Sequence, residues 1–231
     1  MNVPDDNRTA TPSPGAGEGA GEVDMLDTVE RLDICLIDPS YGIKEAQGIT
    51  GVSAAAIRRW LSGYPAGIRE MKGKWINYND KWPDPLLVSF LELMEILVAG
   101  KFRAATGKSF AAMRKHNAIL SSEWEAPFPF AHRNMLKQQD ALPEPVVKTL
   151  EQMDYEKGYV SSWYPFGKDG ALALDPYRAS GQPAIKGRRL RVLDIKGHFI
   201  AGDSISSVAE GFEIDSLTVE AAIRFALLTA A

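Results

Sequence analysis

The chain has 231 residues, 45% hydrophobic and 24% charged, with a formal net charge of −4 and one cysteine. That length allows two small domains and their connections, and the composition is ordinary for a soluble globular protein. No apolar run is long enough to span a bilayer, no basic stretch precedes an apolar core as in a secretory signal, and the single Cys35 excludes an intrachain disulfide and any cysteine-based metal site, so a cytoplasmic location is expected.

Residues 1–22 are rich in Pro, Gly, Ala, Ser and Thr and read as a disordered tail, because they hold almost nothing to bury. Val23–Leu36 is a short helix or strand whose Ile34 and Leu36, with Ile37, pack inward. Residues 41–64, YGIKEAQGITGVSAAAIRRWLSGY, read as two helices around a tight turn. Ile43, Ala46 and Ile49 are the apolar positions of the first. Gly51 suits the sharp turn, Ser53 the N-cap of the second helix, and Ala54–Leu61 carries Ile57, Trp60 and Leu61 on one face with Arg58 and Arg59 on the other. A helix-turn-helix that reads DNA needs this layout, since its second helix enters the major groove and its cations meet phosphates or guanine edges. The plainer reading is a helical hairpin with a solvated basic face.

Charge favours the DNA reading. Residues 1–40 hold two basic and nine acidic side chains, a net of −7, whereas residues 41–74 hold six basic and two acidic, a net of +4. Only the docking face of an operator binder must attract phosphate. Pro65–Asp80 then reads as a β-hairpin wing with Lys72 and Lys74 at a basic tip, placed to touch the DNA backbone, or else as a plain surface hairpin.

After Pro83 and Pro85, Leu86–Ala99 is expected to be a strongly apolar helix, with Leu87, Phe90, Leu91, Met94 and Leu97 at helical spacing and a break at Gly100. Ser109 caps a further helix running through Ile119. Residues 121–174 form an irregular connector or partner surface, with a helix near Pro145–Met153, strands near Tyr159–Trp163 and Ala171–Leu174, and a turn at Lys168-Asp169-Gly170. Residues 175–231 form a second module: a short strand, a turn at Gly187, a strand Arg189–Val192, and helices Leu193–Ile200, Ile205–Gly211 and Thr218–Leu228, with Ser204 and Thr218 as caps. Its last two helices also make a helix-turn-helix shape, but residues 199–223 hold five acidic side chains and no Lys or Arg, which disfavours a second DNA reader and suits protein contacts.

Catalytic patterns are sparse, and carboxylate pairs on helices, such as Glu92 with Glu95, read as solvated. His116, His132 and His198 lie in separate segments without a ligand partner at i+3 or i+4, Cys35 sits in an apolar stretch, and there is no P-loop or nucleophile elbow, so neither a metal, a cofactor nor an enzyme activity is expected. The cluster Lys186, Arg188, Arg189 and Arg191 allows two roles: an arginine that reaches into an acidic nuclease pocket, or Arg189 holding helix C-terminal carbonyls.

Two stretches resemble known families. Tyr41, Ile43, Glu45, Ala46, Ile49, Gly51, Val52, Ser53, Ile57, Arg58 and Trp60 follow the pattern of the N-terminal helix-turn-helix of MerR-type regulators, while Gly42 and Gln47 depart where a hydroxyl residue and Ala are usual. Residues 89–120 look like the companion segment of VapB-type antitoxins with such an N-terminus. Gly181, Pro183, Ile185, Gly187, Arg189, Leu190 and Val192, then Ala201, Gly202, Ser204, Ile205, Val208, Ala209 and Phe212, then Val219, Ala222, Ile223, Phe225 and Ala226 follow a family of short bacterial domains, long without an assigned function, that includes VapB-like antitoxin C-termini; Arg188 and Arg191 depart from it.

These resemblances imply a mainly α fold: a MerR-like (winged) helix-turn-helix domain over residues 23–120, and a small C-terminal β-hairpin and three-helix domain over 175–231. They imply an antitoxin that neutralises a PIN-like ribonuclease toxin of the VapC-like class and represses its own operon as a homodimer on double-stranded operator DNA. DNA contacts are expected from Ser53, Ala54, Ala55, Arg58, Arg59, Lys72 and Lys74, and toxin contacts from Arg188 and Arg191. The dimer is expected through Leu86–Ala99 or the C-terminal helices. The rival expectation is a stand-alone MerR-like transcriptional regulator.

Overall fold

The computed structural model describes residues 32–61 and 87–229, and its fold is mainly helical. The expected tail at 1–22 and the expected wing with Lys72 and Lys74 lie outside the described residues. Asp33 accepts from the Cys35 amide and starts α1 (Ile34–Ile37), which buries Leu36 and leaves Ile34 exposed. A strand that local periodicity does not announce follows, β1 (Pro39–Gly42), and leads into α2 (Ile43–Thr50). Gly51 ends α2 in the left-handed region at φ 70°, its N–H returning to Gln47 O at 2.8 Å. The second helix, α3 (Ala54–Leu61), buries Ala56, Ile57, Trp60 and Leu61.

The next helix departs from expectation at both ends. Leu87 belongs to β2 (Leu87–Ser89), which pairs antiparallel with β1 and sets Tyr41 opposite Val88. Ser89 and Glu92 form a capping box, so α4 (Phe90–Thr106) starts one turn later than its apolar run suggests. It then runs unbroken through Gly100. A Cβ on Gly100 would stand 2.5 Å from Val52 Cγ2, so this glycine lets the helix-turn-helix turn pack on α4 and does not break the helix. Every residue from Phe90 to Ala99 is buried, Glu92 and Glu95 included, so the helix is enclosed on all sides. Ser109 caps α5 (Phe110–Trp124) as read, and the helix extends past Ile119.

Residues 121–174 are part of the packed core rather than a linker. Two 3-10 segments, Pro129–Ala131 and Arg133–Ala141, precede α6 (Glu144–Glu151), β3 (Met153–Glu156) and β4 (Tyr159–Trp163). Phe128, Phe130, Met135, Val146 and Leu150 join the core built on α4. β3 carries no clear sequence signal; it turns into β4 through Lys157 and Gly158, both at positive φ.

In the C-terminal part, β5 (Leu172–Ala173) pairs with β6 (Ala184–Ile185). The expected strand Arg189–Val192 reduces to a bridge from Ala184 to Arg191 and the bond from Ile185 N to Leu190 O, because β6 takes β5 as its ladder partner. Then come α7 (Val192–Ile200), α8 (Ile205–Phe212) and α9 (Ser216–Leu228). Ser204 caps α8 as read. Asp215, not Thr218, caps α9: its carboxylate accepts from the Thr218 amide at 2.8 Å and from the Thr218 hydroxyl at 2.7 Å.

Two contacts tie β1 and α2 to this module. The buried Tyr41 hydroxyl donates to Gly181 O at 2.7 Å. Gly48, on α2, lies so close to the Thr229 carbonyl that a Cβ there would collide with it.

His132 seats the β3–β4 turn. Its Nδ1 accepts from Asn134 N at 3.3 Å, its ring packs on Tyr159 at 4.9 Å, and a Cβ on Gly158 would come within 2.8 Å of Nε2. Burial pushes its pKa below the ordinary histidine value, and Lys137 and Arg133 push the same way. The unfolded chain therefore binds more protons just below about pH 6.5, so stability present above that value falls as pH drops. Urea unfolding at about pH 7.5 and about pH 5.5 should show a lower midpoint in acid. His132→Gln should lose part of that difference, the half-buried His116 acting in the same direction; an equal difference in parent and variant rules out His132 as a source.

Candidate nucleic-acid interface

The α2–α3 turn is closed by side chains. Gln47 Oε1 accepts from Ala54 N at 3.0 Å and Ser53 Oγ from Ala56 N at 3.4 Å, which satisfies amide donors that the first turn of α3 leaves open. Gln47 is one of the two departures from the MerR-like pattern; its role is to cap the second helix. Thr50 strengthens the turn, its hydroxyl donating to Ala46 O at 2.6 Å and accepting from Val52 N at 3.2 Å.

Helical spacing then sorts α3 into two faces. Ile57, Trp60 and Leu61 point into the core, where the Trp60 ring stacks on Phe130 at 5.9 Å and meets Phe110 edge-on at 6.1 Å. Ser53, Ala55, Arg58 and Arg59 are exposed and Ala54 is half-buried. Of the expected DNA-contacting residues among those described, four therefore share the solvent face and one lies at its edge. Arg114 Nη1 donates to Arg59 O at 3.3 Å, placing a cation at the C-terminal end of α3, where the helix dipole favours it. The result is a fixed helix with small side chains at its N-terminal end and two guanidinium groups beyond. Small residues allow close approach to a groove, and guanidinium forks suit guanine edges and phosphates.

The expected toxin-contacting arginines lie on the C-terminal module. Arg188 is exposed and its Nη1 donates to Phe212 O at 2.9 Å, so the helix-carbonyl role read for Arg189 belongs to Arg188. Arg191 grips Asp194 with two bonds of 3.0 and 2.7 Å, which hold that carboxyl below its usual pKa. Arg191 also lines a cavity of about 350 Å³ with Glu45 and Ile49 of α2, Leu193 and Lys196 of α7, and Phe225 of α9. Burial raises the Glu45 pKa, and hydrogen bonds from Gln182 and Gly42 offset part of that. Lys186 donates to Lys168 O and stands 5.2 Å over the Tyr164 ring.

Other chemistry is thin. Among the described residues no group of three or more His, Cys, Asp or Glu side chains is gathered as metal ligands would be. Among the described residues no helix is long and apolar enough to cross a membrane. His198 pairs with Asp203 at 2.8 Å on the surface. Two features are not foreseen from the sequence: the Tyr41–Gly181 bond, which leaves no local signal, and the cations of α4 and α5. A charge count over residues 96–122, five basic and no acidic side chains, would have found the cations.

Residues 173–226 match the model of a family described as a protein of unknown function, DUF433. The chain is similar in fold to a solved structure described as the X-ray crystal structure of Rv2018 from Mycobacterium tuberculosis, with a TM-score of 0.64 and 20% identity over 80% of this chain and 97% of that one. No curated protein matches.

Proposed function

We propose that this chain is the antitoxin of a type II toxin–antitoxin pair, silencing a PIN-like ribonuclease toxin and repressing its own operon through the α2–α3 helix-turn-helix. The observation that carries the DNA half is the solvent face of α3, where Ser53, Ala55, Arg58 and Arg59 stand together on a helix locked by Gln47, Trp60 and Arg114. The toxin half rests on the resemblance of residues 89–120 and of the C-terminal module to VapB-type antitoxins. Operator binders of this kind pair about a two-fold axis to read palindromes. Phe90–Ala99 faces inward throughout and is no longer a candidate for that contact. The C-terminal helices retain it, with Leu193, Ile200, Leu217, Leu227 and Leu228 exposed. A monomer in sedimentation at micromolar concentration contradicts the dimer.

Arg58→Ala should weaken binding to the duplex upstream of the gene by about 1–3 kcal/mol if the side chain reads a base, and by less if it only meets phosphate. Titration of that duplex in a fixed salt concentration measures it; unchanged affinity removes Arg58 from the interface. Co-expression with the product of the adjacent gene, followed by co-purification, tests the toxin half. A stable complex with a carboxylate-rich nuclease supports it. Absence of any complex returns the chain to the second reading, a stand-alone MerR-like regulator. That reading draws on the cavity between α2 and the C-terminal module, where a bound effector would touch Glu45 and Ile49 of the DNA-reading unit.

A further inference from the structure

The helix-turn-helix is not the only basic surface. We infer that the α4–α5 hairpin forms a second, phosphate-tracking arm beside α3, so that duplex DNA is gripped by three helices. This rests on the DNA reading of α3. Residues 96–122 carry Lys101, Arg103, Lys108, Arg114 and Lys115 and no acidic side chain, in a chain whose overall charge is negative. The placement follows from burial. α4 is enclosed from Phe90 to Ala99, then emerges from the core, and its last turn is exposed except for Phe102. Lys101, Arg103, Lys108 and Lys115 are all exposed, and Arg114 is half-buried at the edge. None of the five makes an ion pair among the described residues.

Aromatic contacts bind this surface to α3. Trp60 of α3 meets Phe110 of α5. The Arg103 guanidinium lies 4.9 Å over that same Phe110 ring, and Lys108 Nζ lies 5.7 Å over Phe102. Arg114 reaches across to the Arg59 carbonyl. Arg103 and Arg114 therefore stand beside the packed aromatic group that seats the C-terminal end of α3, the helix that exposes Arg58 and Arg59. When the N-terminal end of a recognition helix enters the major groove, flanking segments meet the phosphate backbone, and cations there fix register without reading sequence. A run of exposed cations with no acidic side chain among them fits a polyanion with closely spaced charges, and double-stranded DNA is one.

The test is the salt dependence of duplex binding by the full chain. The probes are the duplex upstream of the gene and a scrambled duplex of equal length. Lys101→Ala, Arg103→Ala, Lys108→Ala and Lys115→Ala are combined in one variant, leaving Arg114 in place to hold α3. The slope of log affinity against log salt should become shallower by about 0.9 for each phosphate that the variant no longer neutralises. Both duplexes should weaken by a similar factor, because cations that meet phosphate carry no sequence information. A matched variant with Arg103→Lys alone should keep the parent slope. Circular dichroism and the unfolding midpoint check that the multiple variant stays folded. If the parent binds, Arg58→Ala weakens it and the multiple variant keeps the parent slope, the arm is overturned while the α3 reading stands. If the parent binds neither duplex, both fall. If the multiple variant loses binding to single-stranded RNA but not to duplex DNA, the partner assigned to the arm is wrong.

Discussion

Trp60→Ala should lower the unfolding free energy by about 3–5 kcal/mol, in line with large-to-small aromatic replacements in cores. Trp60 is 3% exposed and touches two elements at once, Phe110 of α5 and Phe130 of the Pro129–Ala131 turn. Its removal opens a cavity where α3 meets the rest of the molecule. The unfolding midpoint in urea reports the stability loss. On the proposed DNA reading of α3, duplex binding measured below that midpoint should weaken as well, since α3 is no longer held at one angle. Trp60→Phe keeps an aromatic ring in place and should recover most of both. A Trp60→Ala chain as stable as the parent would mean that α3 is held chiefly by other contacts, the buried Ile57 and Leu61 foremost.

Glu95→Ala should cost about 2–6 kcal/mol, from two donors, one buried and one half-buried, left without an acceptor at roughly 1–3 kcal/mol each. Glu95 is 0% exposed, and its Oε1 accepts from Asn117 Nδ2 at 2.9 Å and from Phe130 N at 3.1 Å. One carboxylate thus joins α4 to α5 and to the turn that carries Phe130, the ring under Trp60. Glu95→Gln keeps an acceptor oxygen at the same reach and should be far milder. Equal losses for alanine and glutamine would mean that the negative charge, and not the acceptor geometry, matters. By spacing alone Glu92 and Glu95 read as a solvated pair on a helix. The structure corrects this: Glu92 closes the capping box at Ser89, and Glu95 is a buried tie.

Local signals were legible wherever a short stretch carries its own instruction. The turn at Gly51, the caps at Ser53, Ser109 and Ser204, and the faces of α3 and α9 all rest on spacing within a few residues, so one window contains the cause and its effect. Signals failed where the partner is distant. Gly100 reads as a breaker because a window cannot see Val52. Thr218 failed for a local reason: both residues can cap, and Asp215, three residues earlier, is the one whose carboxylate meets the open amide. Residues 121–174 read as a connector because their prolines and short 3-10 segments lack a period, although their aromatic side chains fill the core against α4.

By itself, the sequence determined a mainly helical chain, a helix-turn-helix whose Arg58 and Arg59 leave the apolar face, and a C-terminal module of a turn and three helices. These follow from periodicity and from turn chemistry, which act over one or two helical turns. Only the tertiary structure decided that β1 pairs with β2 across the intervening segment, that Tyr41 binds Gly181, and that Arg103 of α4 and Arg114 of α5 stand beside the end of α3. Those outcomes depend on burial and contacts between residues far apart in the chain, where the solvent exposure of a side chain is set by what other elements cover.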